Sequence, residues 1–442
     1  MNELEPAFDF TKDQSSILLH QGSAEMHIHG NKCSGRGEVR LDLLPKAKIN
    51  LYGYFEGGPV QDESASPEFK DGTFFSIDGH KIEGFLLSQD ISMENVIWCP
   101  KSEPILGVVG DESTQMSRLV FHLFNFVDFY GTRHTWEQSG TMTQRIHHID
   151  SVSDEWKIEL KSLISTQENF KILNEVGGYQ LTHIGGIQKI DGTPFSGKEA
   201  YACLKALRFF LSFVKGGWCE PVCAVGFDGA GNRVWECWSS PREPWHTLRS
   251  WFDPYTGDQL AALFPCFMKK WANDDWAETL QEVIWWYMTA NDSSRGIDAG
   301  IISTQAAIER LSYEYVVKEK QEKQLPTKTG FKNLRPASKQ FRLLFSSVGL
   351  PLDLPQATLK LRQFAGKCKW SDAPHALTEI RNSLVHPGHK NRRQFVEVYY
   401  EAWNLYLWYL EMSVLAVCGY SGTYLNRLKL QCYRSEDVPW KK

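Results

Sequence analysis

Hydrophobic and polar residues alternate over most of the first 195 positions, in short runs that end at Gly, Asn or Asp. Alternation with a period of two is typical of β-strands that bury one face. The runs with this pattern are Ser16–His29, Glu38–Glu56, Phe74–Asp90, Val96–Gly110 and Trp156–Ser165. The aromatic segment Met116–Tyr130 predicts a central buried strand, or a strand followed by a turn at Asn125. A β-rich, sandwich-like region is therefore predicted over residues 1–195.

A helix and a β-hairpin are predicted next, over residues 196–255. Apolar residues recur at helical spacing through Ser196–Lys215 and stop at two glycines. Cys223–Phe227 and Arg233–Trp238 then flank the turn Asp228–Asn232, whose residues accept positive φ. Several prolines break regular structure before residue 255, which marks the predicted domain boundary.

Beyond residue 255 the period of the pattern changes to about 3.6 residues, which is typical of amphipathic helices. Helices are predicted at Asp275–Asn291, Ile297–Lys320, Ala337–Val348, Gln356–Ala365, Asp372–Val385 and Arg392–Val417. Residues 256–442 therefore predict an all-α bundle of five or six helices. Because 442 residues exceed what one hydrophobic core usually organises, the sequence predicts an α+β multidomain protein.

Composition and hydropathy narrow the class of protein. Hydrophobic residues make up 42% and charged residues 23%, which is typical of globular chains. The first residues are mixed and acidic, unlike a signal peptide, and the longest apolar stretches are too short to cross a bilayer. Ten scattered cysteines fit a reducing compartment. These features predict a cytoplasmic protein with no membrane partner.

Metal binding is not predicted. A zinc site needs two close pairs of ligands. Cys219 and Cys223 form one close pair, but the next candidate ligands, Cys237 and His246, lie far apart downstream and do not form a second pair. Two histidine pairs lack a third ligand: His27 with His29, and His147 with His148. Small buried thiols and ordinary histidines are the simpler interpretation, so we expect neither a metal nor another cofactor.

The charges are unevenly distributed along the chain. The net charge is −5, but the segment Lys318–Arg393 contains 16 Lys/Arg against 5 Asp/Glu, so it carries +11 and the rest carries −16. Such segregation is expected of a face that binds a polyanion. It is also expected of a solvated basic surface that balances an acidic half, and the charge count alone does not separate these interpretations.

A motif within this basic segment carries the candidate chemistry. Arg381 is followed five positions later by His386. Three apolar residues give the predicted helix a stripe that leaves Arg381 and Asn382 beside it. Pro387 disfavours helical backbone at His386, so the helix should end there or at Val385, with the imidazole turning back toward Arg381. Alternatively, Arg381 reaches to solvent and His386 caps the helix.

The loop after this helix adds further candidate phosphate-binding residues. They are His389, Lys390, Arg392 and Arg393.

The segment IRNSLVHPG, on a late helix of an α-bundle, resembles the HEPN superfamily, whose signature Arg381, Asn382 and His386 match. The resemblance spans about residues 275–420. The stretch IISTQAAIERLSYEY looks like the HEPN helix whose acidic residue, here Glu309, faces the site. With its β-rich N-terminal region and the stretch FHLFNFVDF, the chain as a whole resembles the ApeA-like HEPN proteins of bacterial antiphage defence.

The resemblance implies a metal-independent endoribonuclease that acts as an antiphage, abortive-infection effector. His386 would transfer protons during attack of the ribose 2′-OH on its phosphate, Arg381 would stabilise the charge, and Asn382 would orient the phosphate or His386. It also implies RNA, such as tRNA, as substrate, and a homodimer or higher oligomer that joins two Arg/His pairs. The β-rich region would sense a cue, such as a phage-derived trigger, or restrain the nuclease.

Two alternatives come from other classes of protein. A non-catalytic HEPN module that binds nucleotide or RNA needs only the phosphate-binding residues. A carbohydrate-binding β-sandwich with a helical oligomerisation tail is suggested by the aromatic β-rich region, and it predicts no salt-dependent affinity for RNA.

Overall fold

The computed structural model describes residues 4–10, 15–28, 31–56, 74–89, 94–139, 142–319, 336–386, 388, 395–429 and 434–441. The architecture is α+β, with a β-rich N-terminal half and a helical C-terminal half, as the sequence predicts. The described part of the chain contains no helix with the length and apolar character needed to span a membrane.

The first sheet, sheet A, is antiparallel. Its strands β1–β7 are Ser16–Ile28, Asn31–Asp42, Lys48–Tyr54, Phe74–Ile77, His80–Ile82, Gly84–Gln89 and Asn95–Pro100. They lie in the order β5-β4-β1-β2-β3-β7-β6. The predicted run Glu38–Glu56 therefore falls in two strands, because residues 43–47 turn the chain between them. The run Phe74–Asp90 is also divided, because Asp78 and Gly79 adopt positive φ.

The second sheet, sheet B, is also antiparallel. Strands β8–β17 are Ile105–Leu106, Gln115–Met116, Arg118–Phe124, Arg133–Ser139, Met142–Val152, Trp156–Ser162, Leu181–Lys189, Phe195–Ser196, Val222–Phe227 and Arg233–Trp238. Sheet B has the order β11-β12-β13-β14-β10-β16-β17-β8, while β9 pairs with β15. Asn125 ends β10 with a φ of 56°, so the strand-plus-turn form of the Met116–Tyr130 prediction is confirmed.

The helices α1–α9 are Thr166–Val176, Gly197–Lys215, Asp258–Trp271, Asp274–Asn291, Ile297–Ser312, Ala337–Ser347, Leu359–Cys368, Ala373–Val385 and Tyr399–Cys418. A π-helical turn, Tyr313–Glu319, continues α5, and a 3₁₀ turn, Phe395–Val398, precedes α9. A 3₁₀ turn at Ser293–Arg295 and the pair β18 (Thr423–Tyr424) and β19 (Glu436–Asp437) complete the described elements.

Two helices lie where the sequence analysis placed none. Helix α1 interrupts the predicted β-rich region, and it ends at Gly177, which has positive φ. Helix α3 contains Pro265 in its interior, where a proline usually kinks or ends a helix. Its first residues bury Leu260, Leu263 and Phe264 against the core, and this burial outweighs the cost of the proline.

Two hydrophobic cores organise these elements into layers. Sheet A packs on one face of sheet B, where Met26 and Trp98 share a core with Phe124 and Val225. The opposite face of sheet B packs against the helices in the other core. This second core runs from β10 through α2 and α3 into α9 without a gap at residue 255. The predicted division at residues 1–195, 196–255 and 256–442 stays a prediction.

Candidate functional site

Helix α8 carries the predicted Arg/His motif and is fixed at its first turn. The carboxylate of Asp372 caps the helix by accepting a hydrogen bond from the backbone of His375 at 2.9 Å. Arg342 on α6 donates to the same carboxylate at 2.6 and 2.9 Å. Burial raises the pKa of Asp372, but the hydrogen bonds and charge of Arg342 and His375 outweigh it and lower this pKa below its ordinary value. The start of α8 is therefore held against α6.

The end of α8 agrees with the sequence prediction. The last helical residue is Val385, and His386 has an extended backbone with φ −107° and ψ 106°. The backbone N–H of His386 donates to the carbonyl oxygen of Asn382 at 3.0 Å, which closes the last turn. The side chain of His386 is exposed, and that of Asn382 is half-buried. The imidazole therefore stands at a helix end within reach of solvent.

Arg381 lies one turn before this end and is half-buried. Its Nε atom is inaccessible to solvent and has no hydrogen-bond partner in the described part of the chain. No carboxylate within the described ranges lies within ion-pair distance of its guanidinium. A partly buried charge without a protein counter-ion is unusual, because its desolvation is not compensated.

Helices α5 and α9 supply a hydrogen-bonded chain beside Arg381. The hydroxyl of Tyr406 donates to Gln305 Oε1 at 2.9 Å, and Gln305 Nε2 donates to Glu309 Oε1 at 2.7 Å. Tyr406 is fully buried, and burial raises the pKa of its phenol well above the ordinary value. The charge of Arg381 lowers this pKa and the charge of Glu309 raises it, so both groups act on one phenol.

Arg381 and Glu309 belong to helices α8 and α5, which contact each other, and the charges of both residues affect the pKa of Tyr406. The structure does not join His386 to Arg381: no hydrogen bond between their side chains exists in the described residues. Four predicted phosphate-binding residues lie outside the described residues, namely His389, Lys390, Arg392 and Arg393.

Sequence reasoning missed Gln305 and Tyr406. Gln305 precedes Glu309 by four residues, so the two share a helix face, and this spacing was an available signal. Tyr406 offered none, because α9 is apolar almost all round and its periodicity does not distinguish one side from another.

The cysteines considered for zinc are buried thiols. Burial raises the pKa of Cys219 and Cys237 to about 12. His246 instead contacts the carbonyl oxygen of Pro244 at 3.1 Å. Within the described ranges, no three or more His, Cys, Asp or Glu side chains are grouped to hold a metal ion.

Comparison with known proteins gives two matches to family models. Residues 111–248, which include most of sheet B, match the YopA central domain, and residues 273–437, which include α4–α9, match the YopA C-terminal domain. The chain is 27% identical over 444 residues to the SPbeta prophage-derived uncharacterized protein YopA of Bacillus subtilis (strain 168), a match that covers 96% of the chain and 95% of that relative. No solved structure matches the chain. Arg381, His386 and Glu309 all fall within the C-terminal match.

Proposed function

We propose that this protein is a metal-independent endoribonuclease of the HEPN type, with Arg381 and His386 as its catalytic pair. The observation that carries the proposal is the state of Arg381, a half-buried cation with no carboxylate partner in the described residues. The charge of Glu309 also affects the pKa of the Tyr406 phenol. The Glu309 carboxylate, however, accepts its hydrogen bond from Gln305 and not from Arg381. The guanidinium therefore retains donors for an anion that comes from outside the chain.

A phosphate of RNA is the anion that suits this arrangement. The planar guanidinium binds two phosphate oxygens at once and stays protonated at every physiological pH, so it can stabilise the pentavalent phosphorane. Asn382, on the next position of the same helix, would orient this phosphate or the imidazole of His386 through its amide.

The reaction is an internal transesterification. The ribose 2′-oxygen gives its proton to a base and forms a bond to the adjacent phosphorus, while the bond from phosphorus to the 5′-oxygen breaks. The leaving oxygen takes a proton from an acid, so the products are a 2′,3′-cyclic phosphate and a 5′-hydroxyl. Histidine suits both proton transfers because its pKa lies near neutrality.

One imidazole cannot easily act on both sides of one phosphorus atom. We therefore propose a homodimer through the helical half, in which the exposed His386 of each chain faces the other across the substrate. The residues outside the described ranges, such as Lys390 and Arg392, would add to the binding of the RNA backbone.

The biological role in the proposal is antiphage defence by abortive infection, with the β-rich half sensing a trigger or restraining the nuclease. This role follows from the resemblance to ApeA-like proteins. The relative in Bacillus subtilis is described as prophage-derived, which associates that protein with a phage genome.

A non-catalytic module that binds RNA or nucleotide is the second candidate. One observation favours it: among the described residues, the side chains of His386 and Arg381 make no contact that would define a preassembled catalytic pair in a single chain. Such a module needs Arg381 for phosphate binding and does not need the imidazole.

Substitution of His386 separates the two candidates. Purified full-length protein is incubated with total RNA, and cleavage and RNA binding are measured for wild type and His386→Ala. We expect cleavage to fall by about 10²-fold or more, the usual contribution of a general acid or base, while RNA binding persists. The control is His80→Ala, which removes an exposed histidine from sheet A. RNA binding without cleavage by the wild type would favour the non-catalytic module.

A further inference from the structure

The solvent face of α7 is rich in positively charged side chains. Lys360, Arg362 and Lys367 on the helix, and Lys369 just after it, are all exposed. Residues 354–371 contain no Asp or Glu. None of these four cations forms an ion pair in the described part of the chain, and Lys367 instead lies over the ring of Phe364 at 5.3 Å. We call this set of four cations the α7 cationic face.

The geometry of α7 leaves this face open. Leu361 is fully buried and fixes the opposite side of the helix against the bundle. Lys360 and Lys367 are two turns apart on one flank, and Arg362 lies on the other. Gly366 lies between the flanks, and a Cβ built there meets no atom within 4 Å. A ligand can therefore approach the helix backbone between the cations.

The α7 cationic face lies on a helix that contacts the turn before α9. Helix α7 contacts the 3₁₀ turn Phe395–Val398, and the ring of Trp370, just after the helix, packs on Phe395 at 5.4 Å. Phe395 follows His386 in the sequence, and Gly388 is the one described residue between them. At the other end of α7, the carboxylate of Glu401 accepts hydrogen bonds from the backbone of Lys360 and Leu361 at 3.2 and 2.9 Å.

We infer that the α7 cationic face binds the phosphate backbone of the RNA substrate. This inference rests on the proposed function, because it assumes that RNA is the substrate. Lys360 and Lys367 are about 10 Å apart along the helix axis, which matches the rise of about three stacked nucleotides. Cations without carboxylate partners release counter-ions from the RNA when they bind it, and this release favours association.

A substitution at Gly366 tests the inference without removing any native contact. Gly366→Glu places a carboxylate among the four cations, in a position where its Cβ meets nothing within 4 Å. Glutamate also favours the helix more than glycine does, so the variant should fold at least as well. The matched control is Gly366→Gln, which has nearly the same size and no charge.

The probe is a 2′-O-methyl RNA oligonucleotide, which lacks the free hydroxyl needed for cleavage, so binding is measured apart from catalysis. At about 0.1 M salt we expect Gly366→Glu to bind about tenfold more weakly than Gly366→Gln. We expect the wild type and Gly366→Gln to bind alike.

A second variant removes the cations themselves, with Lys360, Arg362, Lys367 and Lys369 all changed to Gln. The slope of log affinity against log salt should decrease by about 2 to 3, because each lost phosphate contact on a single strand contributes about 0.7. The matched control changes four exposed lysines elsewhere to Gln: Lys46, Lys171, Lys198 and Lys205. That control should keep the wild-type slope.

Equal binding by Gly366→Glu and Gly366→Gln overturns the inference, even if the wild type cleaves RNA. Absence of any binding by the wild type overturns it as well. Weaker binding by Gly366→Glu in a protein that never cleaves RNA supports the α7 cationic face and instead contradicts the proposed nuclease. The two failures are therefore distinguishable.

Discussion

Arg381 and Tyr406 differ in how far the sequence points to them as residues of the candidate site. The spacing of Arg381, Asn382 and His386, together with the family resemblance, predicts the exposed part of the site and its helix end. The family resemblance also points to Glu309, whose charge, like that of Arg381, affects the pKa of Tyr406. The sequence does not indicate the buried residues of the candidate site, because a tyrosine within an apolar helix is expected to be an ordinary core residue.

We expect Tyr406→Phe to destabilise the protein while keeping its packing. The change removes only the hydroxyl that donates to Gln305, so Gln305 Oε1 is left buried without its donor. An unsatisfied buried acceptor costs about 1–3 kcal/mol, measurable by urea unfolding. Tyr400→Phe, at a side chain that is 51% exposed, is the control and should change stability little. Unchanged stability in Tyr406→Phe would show that the hydrogen-bonded chain contributes nothing.

His183 gives a prediction about pH. It is fully buried in sheet B, stacks on Phe129 at 4.7 Å, and neither ring nitrogen has a hydrogen-bond partner in the described residues. Burial lowers the pKa of His183 to about 3, so the unfolded chain takes up a proton between about pH 6.5 and 3 that the folded chain does not. Stability is therefore complete above pH 6.5 and decreases as the pH falls.

His183→Phe should weaken this acid sensitivity, because the variant has no imidazole to protonate in the unfolded chain. The free energy of unfolding of the wild type decreases by up to about 1.4 kcal/mol for each unit of decrease in pH, from His183 alone. Urea unfolding at pH 7 and pH 5 measures the difference for both proteins. A variant that loses as much stability as the wild type between these pH values would contradict the assignment to His183.

At the scale of elements, helix starts and stops were predictable where local chemistry sets them. Ser196 caps α2 with a capping box, and Gly216 ends it with a φ of 81°. The Pro387-Gly388 sequence ends α8 at the expected residue. Helix α3 was missed because burial overrides its proline, and the strands β11 and β12 because their many polar residues, including His134 and His147, obscure the alternation.

Glu199→Gln should destabilise α2 at neutral pH. Its carboxylate accepts hydrogen bonds from Lys189 and from Ser196, and these lower the pKa of Glu199 to about 2. The contribution is therefore present above pH 4.5 and is lost as the pH falls toward 2. We expect Glu199→Gln to lower the free energy of unfolding by only about 1 kcal/mol at pH 7, because 42% of the Glu199 side chain is exposed and solvent screens its charge.

The measurement for this prediction is urea unfolding of Glu199→Gln and wild type at pH 7 and pH 3. The control is Glu168→Gln in the first turn of α1, where the side chain is exposed. A stability difference for Glu199→Gln that does not decrease at pH 3 would exclude the ionised capping box as its source.

At the scale of the whole molecule, the sequence predicted a β-rich half followed by a helical half but could not predict how they pack. Periodicity identifies which face of an element is buried, and it does not identify the partner. Phe121 of sheet B and Phe210 of α2 belong to the same core as Leu407 of α9, far away in the chain. This core therefore joins sheet B to α9, which contacts the helix that carries Arg381.

A buried ion pair between Arg427 and Glu411 connects the segment after α9 to this core. Arg427 donates to both carboxylate oxygens of Glu411 on α9, at 2.5 and 2.8 Å, and also to Asn291 at 3.1 Å. Tyr287 on α4 donates to the same carboxylate at 2.5 Å. Both charged side chains are at most 1% exposed, so the loss of one leaves the other without compensation.

Glu411→Gln should therefore cost about 3–5 kcal/mol of unfolding free energy, since it leaves the Arg427 charge buried and unpaired. Urea unfolding measures this cost. The control is Lys429→Gln, which breaks an exposed ion pair with Glu436 in the same C-terminal segment and should cost no more than about 1 kcal/mol. Similar losses in the two variants would contradict a special role for the buried pair.

The chemical nature of the RNA ends tests the central claim most directly. Full-length protein is incubated with a defined RNA in the presence of EDTA, and the product ends are identified for wild type, Arg381→Ala and His386→Ala. We expect 2′,3′-cyclic phosphate and 5′-hydroxyl ends from the wild type, and at least about a 10²-fold loss of product in each variant. Absence of cleavage by the wild type, or identical cleavage by His386→Ala, would contradict the assignment of Arg381 and His386 as a ribonuclease site.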